Sequence, residues 1–190
     1  MDVAELGRWI GTHYSRKGDR LFRLEVLPEY TVDDDGPDFR RWLAGAAEPT
    51  WSRKEPWLKT LREEHAAGLR ASRVRILTHR LTDYERYACE FGYALNAPAG
   101  EDIRVLRRGE HAIPQGLREV DFWVATPAGR PDAVAIMRYD ELGRFIRAEE
   151  ITSSGDVAPY VATRDALIAA GEPFLTWWAR HPELHRRRAA

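Results

Sequence analysis

Between Arg73 and Leu106 the hydrophobic and polar positions change period twice. Val74 and Ile76 alternate with Arg73 and Arg75, the period of two that marks a strand with one buried face. Tyr84, Tyr87, Ala88, Phe91 and Leu95 then recur at helical spacing, giving one aromatic stripe. Thr82 followed three positions later by Glu85 is a capping box, so the helix is predicted to start there. Gly100 frees the chain to turn, and Ile103 and Val105 alternating with Asp102 and Arg104 predict a second strand. A strand-helix-strand unit of this length favours a parallel pair with a right-handed crossover.

The flanking segments extend the pattern. Val3, Leu6, Trp9, Ile10 and His13 make one side of a short helix over residues 2–14, and Arg20 to Leu27 alternate as a strand that Pro28 ends. Asp33-Asp34-Asp35-Gly36-Pro37 lacks the alternating ligands and terminal glutamate of a calcium loop. Acids and an early proline suit a helix start instead, with Phe39, Trp42 and Leu43 burying that helix and Gly45 closing it. Residues 46–56 read as irregular, and the next helix is expected from Trp57 to Ala67, with Leu58, Leu61 and His65 on one stripe and Gly68 as its stop. Trp51 and Trp57 read as lids over a core edge. After a loop from Arg107 to Gly116, the segments 120–124, 133–139 and 144–152 predict an antiparallel meander. Gly171 and Pro173 break the last hydrophobic stripe, so two helices are expected there. The expected fold is α+β: a single domain over residues 1–182, with a mixed sheet, the central strand-helix-strand unit and helices packed around it. Residues 183–190, with Arg186-Arg187-Arg188, are expected to be a basic disordered tail.

Composition narrows the class. At 190 residues the chain can bury roughly 70% of its unfolded surface in one core. A formal net charge of −1 provides no global pull toward nucleic acid or membrane. Lysine appears only at Lys17, Lys54 and Lys59; a GC-rich genome explains the arginine excess without selection for bidentate anion contacts. Cys89 is the single cysteine, which excludes an intrachain disulfide, and its helical position makes it a small core residue. No apolar run approaches the ~18 residues of a membrane span and no signal-peptide core is visible, so the cytoplasm is the expected compartment.

The usual catalytic signatures are missing. There is no G-x-x-x-x-G-K-[ST], G-x-G-x-x-G or G-x-S-x-G, and no paired histidines beside a glutamate as in metalloproteases. His181 and His185 have the i, i+4 spacing, but Pro182 and a frayed end speak against a metal. Neither cofactor nor metal is expected. What remains is the polar face of the central unit, where Arg73 and Arg75 would face Asp102 and Arg104, Glu101 would lie at the strand's start, and Asp121 and Trp123 would share the side. Such a face is a salt-bridged seam or an anion-binding surface, and the seam is favoured. The binding version would use Arg75 and Arg104 to grip a phosphate or carboxylate, with Trp123 as a stacking platform.

R-L-E at Arg23 to Glu25, W-L-A-G at Trp42 to Gly45, R-V-R-I, T-D-Y-E-R at Thr82 to Arg86, G-E-D-I-R at Gly100 to Arg104 and D-F-W at Asp121 to Trp123 follow in that order. In these the chain resembles an uncharacterised actinobacterial family of domains of unknown function, often encoded beside Xre-type helix-turn-helix regulators. In outline, a strand leading to His111 is also similar to a phospholipase D-like half-domain, but Ala112 and Ile113 follow where that motif, H-x-K-x-x-x-x-D, needs its lysine, which implies a degenerate, non-catalytic copy.

Arg73, Arg75, Tyr84, Arg86, Glu101, Asp102, Arg104, Asp121 and Trp123 are the candidate ligand or interaction residues. The leading expectation is a non-enzymatic regulatory or accessory protein acting through a protein partner, a DNA-binding regulator being the class the resemblance implies. The alternative is an enzyme or sensor that binds a phosphorylated or anionic small molecule on the arginine-bearing sheet face. Direct nucleic-acid binding is disfavoured by the balanced charge.

Overall fold

A computed structural model describes residues 1–32, 36–117 and 119–186. The Asp33-Asp34-Asp35 helix start and the tail from Arg187 onward lie outside them. The chain is α+β, with one seven-stranded mixed sheet in the order β6-β5-β4-β1-β2-β3-β7. Its strands are β1 (Arg20–Glu25), β2 (Arg70–Leu77), β3 (Asp102–Arg107), β4 (Phe122–Thr126), β5 (Ala133–Tyr139), β6 (Phe145–Ile151) and the two-residue β7 (Glu172–Pro173). β1, β2 and β3 pair in parallel, and the other neighbours are antiparallel, so the central crossover and the β4-β5-β6 meander both stand as the residue periods imply.

The helices are α1 (Val3–His13), α2 (Gly36–Leu43), α3 (Trp51–Ala66), α4 (Asp83–Tyr87), α5 (Ala94–Asn96), α6 (Ser154–Ala170) and α7 (Phe174–Arg180), and the π-helical segment Ala88–Tyr93 joins α4 to α5. α4 begins at the capping box: Thr82 accepts from the Glu85 amide at 3.1 Å and Glu85 accepts from the Thr82 amide at 2.9 Å. One sheet face carries Phe22, Leu24, Val74, Ile76, Phe122 and Val124 under α6 through Tyr160 and Leu167. On the other, α1 covers Leu21, Ala125 and Ala135, whereas α4, the π segment and α7 cover Ile103 and Val105. The break at Gly171 separates α6 from α7, and β7 fills it by pairing with β3.

Several expectations need correction. β2 is buried on both faces, because Arg75 is covered by the π segment as fully as Val74 is by α6. α3 starts at Trp51, not Trp57: Thr50 is tied to Asp38 by its amide at 3.1 Å, and its carbonyl accepts the Arg53 and Lys54 amides. Pro56 sits inside this helix on its solvent side, where the carbonyl it leaves unpaired can be hydrated. Trp51 and Trp57, each 44% exposed, are therefore surface residues rather than lids. Val3 and Leu43 likewise face outward. Order also continues past residue 182, through a 3₁₀ turn over Pro182–Leu184 with Leu184 buried, to Arg186. No described helix is long and apolar enough to cross a membrane.

Candidate functional site

The register brings five of the nine candidate residues, Arg73, Arg75, Glu101, Asp121 and Trp123, toward one interior seam. Arg23 of β1 lies beside Arg73 and Trp123, and Glu25 lies beside Arg75 one row further on. Arg73 donates from Nη1 to Glu25 and from Nε to Glu101, both at 2.9 Å. Arg23 Nη2 meets the other Glu25 oxygen at 3.0 Å, and Tyr93 donates its hydroxyl to Glu25 at 2.8 Å. Asn96 completes Glu101 at 2.9 Å. Asp121 accepts from the Tyr30 hydroxyl at 2.6 Å and from the Val26 amide at 2.8 Å. The guanidinium groups stack as well as pair: Arg23 lies over Trp123 at 5.2 Å, Arg73 over Tyr93 at 5.5 Å and Arg75 over Tyr30 at 5.1 Å.

The electrostatics follow from this enclosure. Burial pushes the Glu25 carboxyl up, but Arg23, Arg73 and Arg75 outweigh that and hold it well below the usual carboxylate range. Burial raises Asp121, and the Tyr30 hydrogen bond does not bring it back. Burial also lifts the hydroxyls of Tyr30 and Tyr93 and the Cys89 thiol, so none of them is a thiolate or phenolate at neutral pH.

Asp102 and Arg104 do not join the seam. In the parallel register Ser72 pairs with Asp102 and Val74 with Arg104, which puts both on the face opposite Arg73 and Arg75. There Arg104 approaches Asp102 at 3.5 Å and donates to the Ile168 and Gly171 carbonyls at 3.3 Å, closing the β3–α6 junction. A two-arginine grip from Arg75 and Arg104 is thus not built. Tyr84 packs among Tyr30, Phe39 and Tyr87, and Arg86 is half-buried beside it in sequence. Two surface recesses, of about 220 and 320 Å³, are lined by other residues, around Tyr160 and around Arg130.

Arg75 is the exception within the seam. It is fully buried, its Nη1 donates to Tyr30 at 3.2 Å, and Glu85 is 3.8 Å from Nη2, yet Nε and Nη2 have no hydrogen-bond partner. Glu85 is committed elsewhere, to the amides of Thr78 and Thr82 at 2.8 and 2.9 Å.

A second polar cluster ties α7 to the end of β3. Glu110 accepts from Trp177 Nε1 at 3.2 Å and contacts His181 at 3.0 Å; Glu172 accepts from Arg180 at 2.5 Å. Burial raises Glu110, but hydrogen bonds from Trp177 and His181 outweigh it, and the bond from Arg180 lowers Glu172. Ligand atoms of Glu110, His111 and Glu172 lie within 4.8 Å of one another, the spacing of a metal site. The hydrogen bonding rejects one: His111 Nδ1 accepts the Arg107 amide at 3.1 Å, so Nε2 carries the proton directed at Glu172, 3.3 Å away. His181 and His185 diverge, the latter bonding the Trp178 carbonyl at 2.9 Å.

Sequence reasoning missed Glu25, Tyr30, Tyr93 and the α7 cluster. Glu25 was visible within R-L-E, but the partners it needs come from 48 and 68 positions away in the chain.

Comparison with curated proteins and with solved structures finds no match to either. A family model does match, over residues 10–179, which span the whole sheet, the seam and nearly all of α7. The chain therefore belongs to the family described as Domain of unknown function (DUF6879).

Proposed function

We propose that the chain is a non-enzymatic regulatory or accessory protein that acts through a protein partner. The observation that carries this reading is the outward placement of two tryptophans, Trp51 and Trp57, with Leu43 also exposed at the end of α2. Large aromatic side chains left half in water are characteristic of interface anchors. The seam supports the same reading from the other side, since most of its charges satisfy one another instead of facing an opening. The family resemblance suggests a helix-turn-helix transcriptional regulator as the partner.

The test is reconstitution with an Xre-type helix-turn-helix regulator, the partner class that the resemblance implies, read by light scattering on a sizing column. A stoichiometric complex is expected, and Trp51→Ser combined with Trp57→Ser should dissolve it. A mixture that elutes as two separate species would overturn the proposal.

A second reading, a sensor for a small anion, draws on the two unpartnered nitrogens of Arg75. A thermal-shift screen against phosphorylated and carboxylated compounds checks it: a shift that disappears in Arg75→Ala supports it, and no shift with any compound sinks it. A ligand at one hundred times its Kd adds about 2.7 kcal/mol, which is readily seen.

A further inference from the structure

The residue that closes the described chain sits in a receptor built for its chemistry. α2 ends in a Schellman motif: the Ala46 amide bonds the Arg41 carbonyl at 2.9 Å and the Gly45 amide the Trp42 carbonyl at 3.0 Å. Gly45 makes this turn at φ +93, a conformation that favours glycine. The turn leaves the second lone pair of the Trp42 carbonyl and the Ala46 carbonyl available to one group, and Arg186 takes both, through Nη1 and Nη2. Its guanidinium lies over the Trp42 ring at 4.9 Å and the Phe91 ring at 5.9 Å, with Glu90 3.8 Å from Nε. Glu90 is itself oriented by Trp42 Nε1 at 2.7 Å and accepts the Arg186 backbone amide at 2.6 Å.

Two carbonyls, two aromatic faces and a carboxylate are the complement of a planar, five-donor cation. A lysine ammonium, as a point charge, cannot reach both carbonyls and the carboxylate together. We infer that Trp42, Ala46, Glu90 and Phe91 form an arginine-recognition site that Arg186 occupies in cis, and that an arginine-bearing segment of a protein partner binds there by displacing it. This deepens the partner reading and rests on it for the second half; the site itself stands on geometry alone. The site adjoins the α2–α3 connection that leads to Trp51, so one partner can engage both.

Occupation in cis lowers the apparent affinity for any outside arginine by the fraction of sites left open. The probe is a peptide of the chain's own residues 182–190, titrated calorimetrically into two proteins. One is the wild type; the other carries Arg186→Ala, Arg187→Ala and Arg188→Ala, which leaves no arginine to fill the site in cis. The peptide should bind the alanine variant about fivefold more tightly than the wild type. Adding Glu90→Gln should remove that binding, and a peptide with lysine in place of each arginine should fail to bind. Equal affinity for both proteins, no binding to either, or equal binding of the lysine peptide would each overturn the site. Peptide binding together with failure to capture the regulator would retain the site and reject that partner.

Discussion

The interior seam and the Arg186 cradle use the same groups, arginine against carboxylates and aromatic rings, to opposite ends. In the seam the arginines come from neighbouring strands, and their partners Glu25 and Glu101 are both buried. In the cradle the arginine arrives from the end of the described chain, contacts carbonyls exposed by a turn, and keeps about a fifth of its side chain in water. Enclosure turns a charge cluster into a piece of framework. The same chemistry at a rim, supplied by a segment that can leave, is what recognition requires.

The sharpest way to break that contrast is Arg73→Ala. It strands Glu25 and Glu101 without their main cation, and a loss on the order of 3–5 kcal/mol is expected in urea unfolding. A loss below ~1 kcal/mol would mean that the seam does not hold the fold. Gly45→Ala should cost about 1–2 kcal/mol through its positive φ, and should also weaken arginine-peptide binding, since the Ala46 carbonyl would move. Arg186→Ala comes next, with a stability change of at most about 1 kcal/mol, because its contacts lie at a partly solvated surface.

Acid should test the charges of both regions. Glu110 and Glu172 have folded values below the ordinary 4.5, so their contribution is complete above that value and is lost as pH falls through the lowered ones. Glu25, held well below the usual carboxylate range by Arg23, Arg73 and Arg75, loses its contribution in the same direction, whereas the raised value of Asp121 favours the fold at low pH. Hydrogen exchange should therefore show the protection of α7 and of β1 and β2 falling together as pH drops below the ordinary carboxylate range. Protection that stays unchanged in acid would contradict the assignment.

The sheet was legible because its information is local. Alternation gave β2 and β3, the Thr82–Glu85 box gave the start of α4, and short loops gave the meander. The start of α3 was not legible, since Pro56 argues locally against a helix and the anchor of Thr50 to Asp38 is tertiary. Of the candidate site, Arg73, Glu101, Asp121 and Trp123 did come together. Arg104 did not, because pairing Arg73 with Ile103 rather than Asp102 moves it to the other face, and sequence does not fix a one-residue register. The Arg186 cradle was hidden for a related reason: an arginine-rich end reads as a disordered tail until Trp42 and Glu90, some hundred positions apart from it or more, are seen beneath it.

Under the proposed function, recognition belongs to the aromatic rim and not to the seam. Calorimetric titration of an Xre-type helix-turn-helix regulator, the partner class proposed, into the wild type, Trp51→Ser/Trp57→Ser and Arg75→Lys tests it most directly. Affinity should fall by roughly 30-fold or more in the tryptophan variant, the effect of losing an interface anchor, and stay unchanged in Arg75→Lys. Loss of binding in Arg75→Lys with the tryptophan variant unaffected would contradict the account and return the seam to the role of a site.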